Sequence, residues 1–132
     1  MNAQISTGGT NNSGTYSSAI GYQTSAAGDY STAMGYNTTS SASYFTAMGY
    51  ATTASGSTST AMGVNTTASG DGSTSLGNQT IASANNSSAM GASTTASGEV
   101  STAMGYATTA NGSTSTSMGL STTANGEVST AM

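Results

Sequence analysis

The sequence has no lysine, arginine, histidine, cysteine, tryptophan or proline, and only four acidic residues in 132. Several of these absences close a class of function. With no cation the chain cannot neutralise phosphates, which argues against nucleic acid as a partner. Nor can it hold an anionic membrane surface through a basic patch. Without histidine, cysteine or lysine it lacks the usual bases and nucleophiles for chemistry near neutral pH. Without cysteine no disulfide can staple the fold. No apolar run is long enough to span a bilayer, and Met1-Asn2-Ala3-Gln4 lacks the positive start and apolar core of a secretory leader. The expectation is a protein that is not an enzyme, takes no cofactor or metal, and inserts no part of this segment into a membrane.

What remains is mostly Ser, Thr, Ala, Gly and Asn, a composition that by itself would suit a disordered chain. The order within it is strict, however. Ser31-Thr32-Ala33-Met34-Gly35 returns as Thr46-Ala47-Met48-Gly49, Ser59-Thr60-Ala61-Met62-Gly63 and Ser101-Thr102-Ala103-Met104-Gly105, always in steps of 14 residues. Weaker copies, such as Ser73-Thr74-Ser75-Leu76-Gly77 and Ser115-Thr116-Ser117-Met118-Gly119, fill the gaps without an insertion. A fixed period of this kind marks a stacked repeat architecture.

Within one period, residues 45–58, no 3.6-residue apolar stripe supports a helix, and Ser, Thr and Gly disfavour one. Two short strands fit, one over Phe45-Thr46-Ala47-Met48 and one over Ala51-Thr52-Thr53-Ala54-Ser55. Gly49 and Gly56 are then expected at the two turns, where tight corners often need positive φ. Two strands and two turns make one coil of a flattened, all-β parallel roll. Each strand pairs with its equivalent in the next coil at roughly 4.8 Å.

Alternation along a strand means that Ala47 and Met48 cannot both face inward. Small inward residues (Ala33, Ala47, Ala61, Ala89, Ala103) let two sheets approach closely. That choice turns Ile20, Met34, Met48, Met62, Leu76, Met90, Met104 and Met118 outward as a continuous apolar ridge, the candidate interface between chains. The alternative is that this column forms the core of a monomeric solenoid. A second column, Thr24 to Thr122, is expected to face inward and to bond from coil to coil. Thr53-x-Ser55 and its equivalents form an outward polar ladder, interrupted by Ser25 and Ile81.

Tyr22, Tyr36 and Tyr50 stack at one turn, with Tyr106 further on; they are candidate contacts for a glycan or a surface. Tyr16, Tyr30 and Tyr44 stack near the other turn, beside Phe45. Both ladders could instead stiffen the roll by mutual packing. Asp29, Asp71, Glu99 and Glu127 share one repeat position but never adjacent coils, too far apart to share a metal, and are expected as solvated turn carboxylates. Asn37-Thr38-Thr39, Asn65-Thr66-Thr67, Asn78-Gln79-Thr80 and Asn111-Gly112-Ser113 match the glycosylation sequon, as chance alone would provide in such a composition.

The chain divides into a degenerate N-terminal repeat or cap, residues 1–16, and residues 17–132, with eight complete repeats and the start of a ninth. Open solenoid ends expose strand edges. A segment of a longer fibre, or end-to-end stacking, is therefore expected.

The phrase Ser-Thr-Ala-Met-Gly-Tyr-x-Thr-Thr-Ala-Ser-Gly resembles the YadA-like head repeats of trimeric autotransporter adhesins, which read roughly Ser-Val-Ala-Ile-Gly and Ala-x-Ala-x-Gly at the same period. Similar repeats occur in bacteriophage tail fibres. The resemblance covers residues 17–132. It implies a left-handed parallel β-roll, three chains to a rod, with the larger apolar residue of the first strand near the trimer interface. Thr and Met stand here where that family usually has Val and Ile, and these residues contain no coiled-coil stalk, neck or anchor. The expected function is a structural or adhesive fibre segment, a homotrimer outside the cell, on a cell or virion surface, with an unidentified receptor or glycan. Two alternatives are an ice-binding solenoid, suggested by the Thr-x-Ser ladder, and an end-to-end extracellular filament.

Overall fold

The computed structural model describes residues 8–132, an all-β parallel solenoid. The first seven residues, and with them the start of the 1–16 segment, lie outside the described part. Each coil contributes one long and one short strand. The long strands run Ser18–Tyr22, Thr32–Tyr36, Thr46–Tyr50, Thr60–Val64, Thr74–Asn78, Ser88–Ala92, Thr102–Tyr106 and Thr116–Leu120, followed by Thr130–Ala131. Each short strand is two residues, from Ser25–Ala26 to Thr123–Ala124. The long strands form one nine-stranded sheet and the short strands one eight-stranded sheet, both in coil order. Register is uniform: Ala33 pairs with Ala47, Met34 with Met48 and Gly35 with Gly49. Before the first short strand, Asn11 bridges Ser25 in the same parallel sense.

The two sheets meet through the smallest side chains. Ala19, Ala33, Ala47, Ala61, Ala89 and Ala103 of the long strands are fully buried, as are Ala26, Ala54, Ala68, Ala82, Ala96 and Ala110 of the short ones. Alternation thus turns Ala inward and Met outward, as the sequence predicts. The Met column is not the core of the roll.

The strands differ in extent from the expectation. The long strand runs through the glycine into the following residue, so Gly49 lies inside Thr46–Tyr50, and the second strand shrinks to Thr53–Ala54. Gly49 does have φ +128°, but a Cβ on it would lie 1.9 Å from the carbonyl oxygen of Gly63. The same near-collision recurs from Gly21 to Gly105. One Cα–H of each glycine therefore points at the carbonyl one coil on, a column of weak Cα–H···O contacts that no side chain can enter. Gly56 does not have positive φ; its Cβ would meet the Gly70 carbonyl at 2.0 Å. The left-handed corner positions fall two residues beyond each glycine and are mostly not glycine, for example Ala51 (φ 51°) and Thr58 (φ 56°). Close stacking of coils, more than turn conformation, selects the glycines.

The inward threonines do not bond to one another as expected. Thr24, Thr38, Thr52, Thr66, Thr94 and Thr108 are buried, and their hydroxyls have no hydrogen-bond partner. The reason is dimensional. Equivalent atoms in neighbouring coils stand roughly 4.8 Å apart, whereas hydroxyls bond at about 2.7–2.8 Å. Where serine replaces the inward alanine of a long strand, a partner exists within the coil, whereas Ser40 of a short strand has none. Ser75 Oγ lies 2.7 Å from Thr80 Oγ1, and Ser117 Oγ lies 2.8 Å from Thr122 Oγ1. Two substitutions should therefore have opposite signs. Thr52→Val removes an unpartnered buried hydroxyl and should stabilise the roll by about 1 kcal/mol. Thr80→Val breaks a pair and should destabilise it by about 1 kcal/mol. Urea unfolding midpoints check both, and a common sign would refute the explanation.

Phe45 departs from the repeat. Every equivalent position in the complete coils is serine, and Phe45 is buried against Ala47, Ala54, Ala61 and Ala68. The sequence grouped it with the corner tyrosines, but it faces the interior. Its bulk has a local effect. The ladder bond from Thr46 N to Ser59 O stretches to 3.3 Å, against 2.9 Å from Thr60 N to Ser73 O. The corner at 42–44, where Ala42 replaces glycine, is a bend and not the turn found in the other coils.

Candidate functional site

Among the described residues there is no pocket, and no group of three or more His, Cys, Asp or Glu residues that could hold a metal ion. No helix of the structure is long and apolar enough to cross a membrane. The features that could engage a partner are therefore surface columns, each built by in-register repetition.

The first column lies on the outer face of the nine-stranded sheet. Ile20, Met48, Met62, Leu76, Met90, Met104 and Met118 are half-buried, and Met34 is exposed. From Met34 to Met104 each stands between its equivalents in the neighbouring coils, and the column is only partly buried. Two residues further along the same strands stand Tyr22, Tyr36, Tyr50, Val64, Asn78, Ala92, Tyr106 and Leu120. Tyr22, Tyr36, Tyr50, Val64, Tyr106 and Leu120 are exposed. The Met column and the Tyr column thus share one broad, uncharged and largely apolar strip, a continuity that the two-residue spacing already carried.

Tyr22, Tyr36 and Tyr50 stack with ring centroids 5.4 and 5.2 Å apart. At the opposite corner Tyr16, Tyr30 and Tyr44 stack at 5.2 and 5.1 Å. In both ladders each ring turns its faces towards the next, so its edge and hydroxyl are what solvent meets. Tyr106 stands apart, flanked in its column by Ala92 and Leu120.

A third column is polar. Thr39, Thr53, Thr67, Thr95 and Thr109 face outward, half-buried, from the eight-stranded sheet, with exposed Ile81 in their midst. At the adjacent corner Ser97 Oγ donates to Asn111 Oδ1 at 2.6 Å, and Asn111 Nδ2 donates to Asn125 Oδ1 at 2.9 Å. The longer amide spans the coil spacing that a hydroxyl cannot.

Two of the carboxylates have a structural role beyond solvation. Asp29 Oδ1 accepts from Thr15 N at 2.7 Å, and Asp71 Oδ1 accepts from Ser57 N at 2.8 Å. Both clip one coil to the coil before it. Asn85 Oδ1 does the same for Asp71 N. Only the spatial equivalence of residues 14 apart reveals these bonds.

Stacked strands, a small-residue core and continuous surface columns without a pocket define a structural β-solenoid. The family model for the YadA head domain repeat matches residues 13–38, 46–66, 54–80, 68–94, 82–108 and 96–122. The chain belongs to this family of adhesin-type head repeats. Comparison with curated proteins finds no significant match.

Proposed function

We propose that the chain is a rod segment of a homotrimeric, extracellular, adhesive fibre. The interface between chains would be the column Ile20, Met34, Met48, Met62, Leu76, Met90, Met104 and Met118. One observation carries this: an unbroken apolar column, only partly buried, runs the length of the nine-stranded sheet. Each such side chain stabilises by roughly 1.5–3 kcal/mol when fully buried, and continuous exposed strips of this kind mark interaction surfaces. The head-repeat family, a sequence without any cation and, among the described residues, the lack of a pocket support a structural and adhesive role over an enzymatic one. A chain with no lysine or arginine also offers trypsin no cleavage site, which suits a surface-exposed rod.

Tyr22, Tyr36, Tyr50 and Tyr106 would extend the same face, either under a neighbouring chain or as its contact with a glycan or host surface. Sedimentation at several concentrations tests the assembly. The expected result is a species of three times the chain mass with an elongated frictional ratio; a monomer at all concentrations would overturn the proposal. Met62→Asp should shift the trimer to monomer, because burying an unpaired carboxylate in an apolar interface is strongly unfavourable. The in-register outward threonines favour one second reading, an ice-binding face. Thermal hysteresis in a purified sample would support it, and its absence would remove it.

A further inference from the structure

The corner carrying Tyr16, Tyr30 and Tyr44 is strained. These residues adopt φ 56°, 56° and 69°, the left-handed region that disfavours a residue bearing a side chain. At the same repeat position the other coils place Thr58, Gly72, Asn86, Val100, Thr114 and Val128, all with the same left-handed φ, so the conformation belongs to the corner and not to one residue type. Three successive coils nonetheless keep a large aromatic ring there, more than half exposed at 58, 52 and 63 %. What is particular to these three coils is the run of exposed rings, which no later coil carries at this position.

We propose that Tyr16, Tyr30 and Tyr44 form an oxidative staple, a site where phenol rings of successive coils are joined as dityrosine. The chain has no cysteine for disulfides and no lysine for amide cross-links. Coupling of tyrosine rings is the remaining familiar route to a covalent bond between coils. The fold places the rings in register, with centroids 5.2 and 5.1 Å apart and planes inclined by 24° and 2°. They stand at an exposed corner, where an oxidant can reach them and the rings can rotate. The other ladder, Tyr22, Tyr36 and Tyr50, lies on the strip assigned above to a neighbouring chain.

The chemistry needs a one-electron oxidant of the peroxidase type, consuming hydrogen peroxide. Each of two phenols loses one electron and the proton of its O–H, giving two phenoxyl radicals. Their ortho carbons form one C–C bond, and the ortho hydrogens move to the oxygens to restore both phenols. Two hydrogens leave the protein in total, and one peroxide is reduced to two waters. Tyr30, with two free ortho positions, can join both neighbours. The linked coils cannot peel apart from one another.

The test uses the full chain with Tyr22, Tyr36, Tyr50 and Tyr106 changed to Phe, which leaves three of the seven tyrosines. The folded protein is treated with peroxidase and hydrogen peroxide, then assayed by dityrosine fluorescence, denaturing electrophoresis and peptide mapping. The expected product runs at the mass of one chain and has lost two hydrogens per link. Pre-positioning should make coupling on the order of tenfold greater than in the same chain unfolded in urea. Adding Tyr30→Phe separates Tyr16 from Tyr44 by two coils and should reduce coupling on the order of tenfold. Coupling that survives Tyr30→Phe, that is equal in the unfolded chain, or that appears only between chains would overturn the proposal, as would no dityrosine at all.

Discussion

Gly63→Ala should disrupt the roll severely, lowering stability by at least about 3 kcal/mol. The added Cβ would lie 1.9 Å from the carbonyl oxygen of Gly77, and 2.8 and 3.0 Å from its carbonyl carbon and nitrogen. All three atoms are backbone, held by parallel ladders on both sides, so none can swing away as a side-chain end could. The φ of +130° adds to the cost. The matched control is Gly56→Ala. Its Cβ also meets a carbonyl, that of Gly70 at 2.0 Å, but its φ is not positive. Ala42 and Ala84 already occupy that corner in other coils, which shows that the corner can shift. A loss of about 1–2 kcal/mol is expected there. Circular dichroism during thermal and urea unfolding measures both, and equal losses would show that corner and strand glycines are under the same constraint.

Phe45→Ala should cost about 3–5 kcal/mol, the range for emptying a large buried aromatic site. Among the described residues, Phe45 is the one large buried side chain in an interior otherwise built from small residues, mainly Ala, Ser and Thr. It shares one core cluster with alanines from both sheets in consecutive coils, so its removal loosens several coils together. The surrounding backbone is adjusted to it, with a stretched ladder bond at Thr46 and a bend at Ala42 in place of the turn. The double substitution Phe45→Ser with Ala42→Gly returns this coil to the pattern of its neighbours, as in Ser59 with Gly56. It should recover most of the loss, because the corner can then close as the others do. If the double variant were no more stable than Phe45→Ala, the altered corner would not be a consequence of the ring.

The proposed trimer and the proposed tyrosine staple use different edges of the roll. The Met strip follows the outer face of the long strands, while Tyr16, Tyr30 and Tyr44 stand at the corner before them. Substitution of one should leave the other unchanged, so the sedimentation and oxidation experiments test independent properties of one rod.

The 14-residue period was legible from residue order alone, and with it the parallel coils, the inward alanines and the outward Met column. In a solenoid, residues one period apart are spatial neighbours, so sequence register is structural register. Alternation along a strand then needs only one size argument, that Ala and not Met fits between closely approaching sheets. The tyrosine ladders followed for the same reason. What the order of residues could not reveal depends on distances across and between coils. The coil spacing leaves the Thr24 to Thr108 hydroxyls too far from one another to bond, and the pairing of Ser75 with Thr80 requires knowing how the two sheets face. Gly49 reads as a turn in one dimension. In three it is a strand residue pressed against the carbonyl of the next coil. Phe45 reads as a corner aromatic because its neighbour Tyr44 is one, yet a one-residue step reverses the face, and only packing decides that the larger, less polar ring goes in. The carboxylates of Asp29 and Asp71 look solvated in sequence because the amides they hold lie a full coil earlier. Periodicity determined which residues are neighbours; tertiary structure decided which neighbours are close enough to bond.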